Sequence, residues 1–403
     1  MAGRIESPTS SRVNRAERYG GILAVRISLR HSVRMSGTVS LFLAGDVMTG
    51  RGIDQVLPTP SEPTLYESYV RDARVYVELA ERVNGPIPAP VGFDYVWGDA
   101  LAELERVRPQ ARIVNLETSV TVHDEPWPHK GIHYRMHPAN VPCLTAARLD
   151  CCVLANNHVL DWGYEGLAET LRTLEDAGLA TAGAGADAAA AEAPAVIGDG
   201  DGRRVLVVAL AEASSGVPAD WAAGPGRPGV SFAAALSAAT AERIAVLVER
   251  HRRPEDLVVV SVHWGGNWGY TVERGARDFA HALIDAGAAH VVHGHSSHHA
   301  KGIEVYRRRP ILYGCGDFLN DYEGITAHAG YRDDLPLMYL VTLDAGGELE
   351  RLEVLPFVLE RFSLRRAPRS DTLWVRDMLT REGARFGTRA ELAGDGRLLL
   401  RWG

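Results

Sequence analysis

Five short polar clusters, each placed directly after an apolar run, constrain the fold of this chain more than any other feature. The most informative cluster follows the apolar residues 151–155 and contains Asn157, His158 and Asp161 ahead of Gly163. The other four clusters contain, in chain order, Asp46, Glu117, His263 and His295. In α/β folds, such side chains at the carboxyl ends of buried strands meet at one edge of a sheet, where ligands bind. The pattern therefore predicts a metal-dependent enzyme.

An alternation of strand-like and helix-like patterns begins at residue 39. Residues 39–44 and 257–262 have the continuous apolar character of buried strands, and residues 164–177 and 232–250 show helical periodicity. Such alternation predicts βαβ units with parallel strands. A hairpin pattern over residues 337–356 adds antiparallel strands, so we predict an α/β fold with a mixed sheet or a second sheet.

The polar clusters extend from residue 46 to residue 317, so one domain has to bring them together. We predict that this domain covers residues 37–360 and that residues 361–403 form a C-terminal helical extension packed on it. Residues 1–36 are Arg-rich and end next to a second methionine, Met35, just before the first strand-like run. We predict that they are a disordered extension or the product of a mis-assigned start.

The composition argues against several classes of protein. The net charge of −8 lacks the basic footprint of nucleic-acid-binding proteins, so no nucleic-acid partner is expected. No apolar run approaches the ~18–20 residues that span a bilayer, so no transmembrane segment is expected. The four cysteines show no C-x-x-C spacing, which disfavours a thiolate zinc site and favours reduced, buried side chains in the cytoplasm.

Two carboxylates follow predicted strands at positions suited to metal binding. Asp46 comes just after the run 39–44, where a carboxylate can bind a hard or borderline divalent cation; the alternative is a turn cap, a common role of Asp. Glu117 ends the strand-like run 112–116 and could bridge two metals; the alternative is a solvated loop residue paired with an arginine. Neither Asp46 nor Glu117 alone shows whether the chain binds metal.

Asn157 and His158 form a sharper pair. An amide oxygen is a neutral metal ligand, and the adjacent imidazole can act as a proton donor. Asp161 can orient that imidazole by fixing its tautomer, or it can cap the following helix. His263 ends a strongly apolar run and is either a ligand or a core imidazole bonded to the backbone.

Four imidazoles occupy seven residues after another apolar run, at His293, His295, His298 and His299. Imidazole is the commonest metal ligand in proteins, and the position at a strand end disfavours a surface run of histidines. The spacing leaves open which of the four bind metal. The chain contains no G-x-S-x-G, no G-x-x-x-x-G-K-[ST] and no H-E-x-x-H motif, which disfavours three other enzyme classes.

The five clusters, in this order, resemble those of the CapA/PgsA family. These are the poly-gamma-glutamate capsule biosynthesis proteins of the calcineurin-like metallophosphoesterase superfamily. The family pattern comprises G-D, N-L-E, N-N-H-x-x-D-x-G, H-W-G, G-H-x-x-H and a closing Y-x-x-G-x-F. In this chain the motifs begin at Gly45, Asn115, Asn156, His263, Gly294 and Tyr313. The resemblance covers about residues 39–320 and implies a four-layer αββα sandwich of mixed sheets flanked by helices.

The resemblance also implies a site for two divalent metal ions, and mixed nitrogen and oxygen ligands suit Mn, Fe or Zn. Asp46 and His298 would bind the first metal, and Glu117 would bridge both. The second metal would be held by Asn157, His263 and His295. His158, oriented by Asp161, would protonate the leaving group while a metal-activated water attacks a phosphoester or related bond.

Three positions depart from the pattern in ways that bear on the site. The superfamily motif D-x-H has Met48 at its third position, so one ligand of the first metal is missing. Asn267 stands where the family form H-W-G-x-E has Glu, and Asp317 stands where the closing G-N-F has Asn. We assign Asn267 and Asp317 to substrate binding. Arg135 is a third candidate, because it could meet an anionic substrate; a surface salt bridge is its alternative.

The leading prediction is a metal-dependent hydrolase of a phosphoester or related bond in an anionic small molecule or a gamma-glutamyl substrate. One alternative is an accessory protein of poly-gamma-glutamate or gamma-glutamyl amide polymer biosynthesis without hydrolysis of its own. A second alternative is a non-catalytic binding module, which Met48 favours and the Asn157–His158 pair disfavours. The substrate, the metal identity and the oligomeric state are left open by the sequence.

Overall fold

The computed structural model describes residues 37–198, 203–325 and 328–403. Residues 1–36, predicted to be an extension or a mis-assigned start, lie outside the described residues. The strands are β1 Val39–Val47, β2 Ala111–Leu116, β3 Ser119–Val120, β4 Arg135–Met136, β5 Cys151–Val153, β6 Ala180–Ala182, β7 Ala184–Gly185, β8 Ala195–Ile197, β9 Val205–Glu212, β10 Gly229–Val230, β11 Phe232–Ala233, β12 Leu257–His263, β13 Val291–His295, β14 Ile303–Tyr306, β15 Arg309–Leu312, β16 Asp317–Leu319, β17 Leu337–Leu343, β18 Leu349–Glu360, β19 Ser363–Arg366, β20 Thr388–Leu392 and β21 Leu398–Trp402. The α-helices are α1 Arg51–Val56, α2 Arg74–Asn84, α3 Asp99–Val107, α4 Pro142–Ala146, α5 Gly163–Asp176, α6 Ala188–Glu192, α7 Ala238–His251, α8 Arg274–Asp285 and α9 Arg369–Gly383.

The first sheet has ten strands, eight of them in the order β20-β21-β18-β17-β1-β2-β5-β6. The strands β1, β2, β5 and β6 run parallel to one another, as the βαβ patterns predict. On its other side β1 pairs antiparallel with β17, which continues into the β17–β18 hairpin. The predicted mixed sheet is therefore confirmed. The short strand β16 adds to the end of β1 in a parallel pair.

The second sheet has seven strands, six of them in the order β11-β9-β12-β13-β15-β14. Its central strands β9, β12 and β13 are parallel and almost entirely buried, and β9 and β12 consist mainly of apolar residues, as expected for strands covered on both faces. The two sheets stack on each other. His293, on β13, bonds through Nε2 to the Ala44 carbonyl oxygen of β1 at 2.9 Å.

Alternating side chains of β12 show how the layers are arranged. Val259 lies in the core shared with the first sheet, whereas Val258 and Val260 pack with α7 and α8 on the outer face. Helices α3 and α5 bury Leu104 and Leu167 in the core that contains the first sheet. Each fully buried valine or leucine contributes about 1.5–3 kcal/mol to folding. The four-layer αββα sandwich is thus confirmed.

The C-terminal segment 361–403, predicted to be a helical extension, contains more than a helix. Besides α9 it forms β19, β20 and β21, and both β19 and β21 pair with β18. Arg397, in the turn between β20 and β21, forms buried ion pairs with Glu353 and Glu103 at 3.2 and 2.9 Å. The segment predicted to be a helical extension packed on the domain therefore contains a helix and also strands that complete the edge of the first sheet.

No helix within the described ranges is long and apolar enough to cross a membrane.

Candidate metal centre

The carboxyl ends of five strands meet at one place between the two sheets. Asp46 lies at the end of β1, and Glu117 and Asn157 follow β2 and β5, the next two parallel strands. From the second sheet, His263 and His295 are the last residues of β12 and β13 and are register partners. The sandwich therefore brings together side chains that lie up to about 250 residues apart in the chain.

The strand β16 brings a further carboxylate, Asp317, beside Asp46. The two aspartates are register partners in the β1–β16 pair, and the Asp46 amide donates to the Gly316 carbonyl at 3.1 Å. This approach requires glycine at position 45, because a Cβ atom there would overlap the Gly316 carbonyl oxygen. Asn320 Nδ2 donates to Asp317 Oδ2 at 2.9 Å and fixes the orientation of the carboxylate.

Asp46, Glu117 and Asp317 form a buried acidic cluster whose basic neighbours among the described residues are histidines. Asn115 Nδ2 donates to Asp46 Oδ1 at 2.8 Å and to Glu117 Oε2 at 3.0 Å. Within the described residues, no arginine or lysine forms an ion pair with any of the three carboxylates. Burial, followed by the charge of Asp317, raises the pKa of Asp46 to about 7. Burial and the two aspartates raise the pKa of Glu117 well above its usual range.

Two groups of possible ligand atoms share Asp46. One comprises Asp46, His263 and His295, and the other comprises Asp46, His298 and Asp317; within each group the atoms lie within 4.8 Å of one another. Buried carboxylates placed beside imidazoles form a donor set that can hold a metal ion. The residues therefore fit the metal site that the sequence suggests.

Three predicted site residues take somewhat different places from those expected. Asp317, assigned to substrate binding, belongs to a ligand group, and its Oδ1 accepts a hydrogen bond from His298 Nδ1 at 2.9 Å. Glu117, expected to bridge two metals, belongs to neither group, and its Oε2 accepts from Asn115 Nδ2 at 3.0 Å. Asn157 approaches the centre through His263, whose Nε2 lies 3.0 Å from Asn157 Oδ1.

The four clustered histidines divide into two kinds. His295 and His298 belong to the ligand groups. His293 is held between the Ala44 carbonyl and the Ser261 hydroxyl, and that hydroxyl also lies 2.8 Å from His295 Nε2. His299 accepts from the Gly269 amide at 3.1 Å. Of the four rings, His295 and His298 are therefore the candidate metal ligands.

His158 stands beside the acidic cluster with an orienting carboxylate behind it. Its Nδ1 lies 2.6 Å from Asp161 Oδ2, and its Nε2 lies 3.9 Å from Glu117 Oε1. Burial lowers the pKa of His158 to about 4. Lys130 Nζ forms an ion pair with Asp161 Oδ1 at 2.8 Å. Burial alone would raise the pKa of Asp161, but His158 and Lys130 outweigh it and the pKa is lowered.

A buried network around Arg51 supports both sides of the site. Its guanidinium pairs with Glu67 at 2.7 Å and with Asp321, and it lies 4.0 and 4.3 Å from the ring centroids of Tyr76 and Tyr134. The Tyr134 ring packs edge-on against His158, and its hydroxyl donates to that of Tyr322, which packs against His298. The rings that flank His158 and His298 are therefore held by one ion-pair network.

The other two predicted substrate residues differ in their placement. Asn267 is exposed, and its Nδ2 lies 3.1 Å from His298 Nε2, so it borders the centre. Arg135 is 8% exposed, donates to the carbonyls of His123 and Glu62, and stacks on the Trp162 ring. This geometry disagrees with both interpretations of Arg135, substrate contact and surface salt bridge. The guanidinium group is occupied by two backbone carbonyls and the face of the Trp162 ring.

The sequence analysis missed Lys130 and Asn320. Asn320 lies two residues beyond the last motif and carries no pattern of its own. Lys130 did carry a signal, since lysine is rare in this chain. Of the 43 Lys and Arg residues, only Lys130 and Lys301 are lysines.

Comparisons with known proteins point to one family. The model of the family described as "Bacterial capsule synthesis protein PGA_cap" matches residues 40–322, which include every residue of both ligand groups. A "Probable polyglutamine synthesis accessory protein" of Mycobacterium tuberculosis (strain ATCC 25618 / H37Rv) is 49% identical over 362 residues, covering 89% of this chain and 95% of that protein. The "PGA biosynthesis protein CapA" of Bacillus subtilis (strain 168) is 26% identical over 313 residues, covering 77% of this chain and 70% of that protein.

Among solved structures, a 5'-nucleotidase precursor from Thermus thermophilus superposes with a TM-score of 0.39 at 17% sequence identity. The match covers 80% of this chain and 54% of the nucleotidase.

Proposed function

Because this chain belongs to the bacterial capsule synthesis protein PGA_cap family, we propose that it is a family member with a hydrolytic metal centre acting on a phosphoester or related bond. The observation that carries the proposal is the buried acidic cluster of Asp46, Glu117 and Asp317, which has histidines and, within the described residues, no arginine or lysine as ion-pair partners. A substrate with an anionic or gamma-glutamyl group would bind where Asn267 borders the centre.

Two divalent ions, of Mn, Fe or Zn, would be held by the two ligand groups. Asp46, His298 and Asp317 would hold the first ion, so Asp317 would supply the ligand that Met48 cannot. His263 and His295 would hold the second ion together with Asp46, and Asn157 lies within reach through its Oδ1. When bound, such ions activate water and stabilise the charge that develops on the reacting oxygens.

His158 would handle the proton of the reaction. Its Nδ1 faces the Asp161 carboxylate at 2.6 Å, which places the ring proton of the neutral imidazole on Nδ1 and leaves Nε2 free on the side of the acidic cluster. Nε2 can therefore take up a proton and pass it to a leaving oxygen. Lys130 holds the Asp161 carboxylate on its other oxygen and so keeps the pair aligned.

A second candidate function is an accessory role in polyglutamate or gamma-glutamyl amide polymer synthesis, with or without hydrolysis. It is favoured by the names of the relatives from Mycobacterium tuberculosis and Bacillus subtilis, which describe synthesis rather than cleavage. We place this role in the cytoplasm, because the four cysteines are free and buried, as is usual in a reducing compartment. A non-catalytic binding module is the remaining alternative.

Elemental mass spectrometry tests the centre first. We expect close to two transition metal ions per chain in the wild-type protein and fewer in Asp46→Asn and Asp317→Asn. Asp256→Asn is the matched control, since Asp256 pairs with Arg204 away from the centre. Absence of metal from the wild-type protein, even after metal is supplied, would leave the binding module as the better description.

Hydrolysis of simple phosphomonoesters and phosphodiesters is then compared between wild type and His158→Ala at equal metal content. General acid–base catalysis is worth roughly 10²–10⁴ in rate, so the variant should lose at least ~10²-fold while binding the same metal. Equal rates in the two proteins would refute the hydrolytic role of His158. A metal-loaded protein without hydrolysis, whose His158→Ala variant changes the yield of polymer, would favour the accessory role.

A further inference from the structure

A cavity of about 480 Å³ lies beside the turn that follows His263. Its walls include the aromatic rings of Trp264, Trp268 and Tyr313, and its charged lining residues are Glu212, Glu273 and Lys301. None of the residues in the two ligand groups lines it. The volume is sufficient for a small organic ligand, and aromatic walls with a few charged groups are typical of such sites.

Lys301 is the unexplained feature of this cavity. The residue is only 7% exposed, yet its Nζ atom has no hydrogen-bond or ion-pair partner among the residues that the structure describes. Burial lowers the pKa of Lys301. An isolated buried ammonium group is unfavourable unless an anion accompanies it, because the charge loses its hydration.

Two glycines make room for this side chain. The Lys301 stem runs past Gly314, where a Cβ atom would lie 3.0 Å from Lys301 Cγ. Its Nζ ends near Gly265, where a Cβ atom would lie at 3.7 Å, and Gly265 has a φ of +74°, in the left-handed region that favours glycine. The backbone is thus shaped to let the ammonium group reach the cavity.

The charges around the cavity restrict the ligand. Lys301 supplies one positive charge, while Glu212 and Glu273 supply two negative charges; Glu212 is half-buried and Glu273 is exposed at the start of α8. A dianion such as phosphate would therefore meet an excess of negative charge. A ligand with one carboxylate and one cationic amine can pair its carboxylate with Lys301 and its amine with a glutamate.

We propose that this cavity binds a small molecule or chain end of amino-acid type, with its carboxylate on Lys301 Nζ and its amine near Glu212 or Glu273. The site would adjoin the metal centre through the turn after His263. In that turn, the Gly265 carbonyl accepts a hydrogen bond from the Ser296 hydroxyl, and the backbone amide of Ser296 donates to Asp46. Binding there requires neither hydrolysis nor metal. It therefore goes beyond the function proposed above.

Calorimetry and tryptophan fluorescence test the proposal with L-glutamate, glycylglycine, glutarate and inorganic phosphate as probes. We expect saturable binding of L-glutamate or glycylglycine, and weaker binding of glutarate, which lacks the amine, and of phosphate. Lys301→Met should weaken amino-acid binding by at least about tenfold, as expected for loss of a charge-assisted contact. Arg274→Met is the matched control, because it removes a positive charge from an exposed side chain next to Glu273 and should leave binding unchanged.

Two further experiments distinguish binding in this cavity from binding at the metal centre and from an effect of misfolding. Asp46→Asn should bind the amino-acid probes as the wild type does, whereas binding that disappears in this variant would place the ligand on the metal and overturn the proposal. Since only two lysines are present, an amine-reactive reagent followed by peptide mass spectrometry reports on each in the wild-type protein. L-Glutamate should slow modification of Lys301 and not of Lys130. No saturable binding of either zwitterion, stronger binding of phosphate, or unprotected Lys301 would each refute the proposal.

Discussion

Replacing Asp46 with asparagine is expected to stabilise the metal-free protein at about pH 8, although the same change should abolish metal binding. In the absence of a cation, Asp46 is buried beside Glu117 and Asp317, and burial is the largest cause of its raised pKa. The cost of ionising Asp46 in the folded protein disappears when an uncharged amide takes its place. The hydrogen bond that Asp46 Oδ1 accepts from Asn115 can be kept by the asparagine oxygen.

The magnitude follows from the two pKa values of Asp46. Its pKa is about 7 in the folded protein against an ordinary value of 3.8, and each pH unit between them is worth about 1.4 kcal/mol. Since the folded-state pKa is the higher one, the contribution of Asp46 to stability is complete below about pH 4 and is lost as the pH rises towards 7. At pH 8 the loss reaches ~4 kcal/mol. The stabilisation by asparagine should therefore shrink towards zero near pH 4.

The assay is thermal or urea unfolding of wild type and Asp46→Asn with a chelator, at several pH values, and again with metal supplied. In the chelator Asp46→Asn should be the more stable protein at pH 8; with metal the order should reverse, because only the wild type gains the binding free energy. Asp256→Asn is the control and should destabilise the protein at pH 8 instead of stabilising it. Burial raises the pKa of Asp256, but the Arg204 side chain and the Arg253 amide outweigh burial, so the pKa is lowered. A metal-free Asp46→Asn protein that is less stable than wild type at pH 8 would refute the reasoning.

Two further predictions concern the surroundings of the centre. Asp161→Asn should reduce hydrolysis by about 10- to 100-fold without loss of metal, because the amide no longer fixes the His158 tautomer; an unchanged rate in a kinetic assay at equal metal content would contradict this. Arg51→Met should lower the free energy of unfolding by about 3–5 kcal/mol, since it leaves Glu67 and Asp321 buried without their cation. The exposed pair of Arg82 and Glu78 provides the control, and Arg82→Met should cost less than about 1 kcal/mol in the same unfolding experiment.

The parallel part of the fold was readable from the sequence because its strands are continuous apolar runs that end in polar residues. Residues 257–262 lie within β12, and the predicted ligand His263 is the last residue of that strand. The helix predicted over residues 232–250 begins only at Ala238, where Ser237 caps it through the Thr240 amide. The strands β20 and β21 were missed because β21 pairs with the distant strand β18, and no local sequence pattern connects the two.

Site residues were predictable from the sequence where the side chain lies at the end of its own strand. They were less predictable where the pairing of two distant strands determines the position of the side chain. Asp317 was assigned to substrate binding because its motif position alone does not reveal that β16 lies alongside β1, opposite Asp46. Arg135 was misjudged for a related reason. A positive charge in a sequence does not show that two backbone carbonyls and the Trp162 ring already surround it.

The ligand groups draw on both sheets, and this has a consequence for the motion of the whole sandwich. Asp46 and Asp317 belong to the first sheet, whereas His263 and His295 end strands of the second. An ion held by Asp46, His263 and His295 would close a chain loop of some 250 residues, much as a covalent cross-link does. The two sheets could then no longer move relative to each other without breaking a bond to the ion. Removing the ion should therefore speed amide hydrogen exchange along β12 and β13, far beyond the residues that touch it.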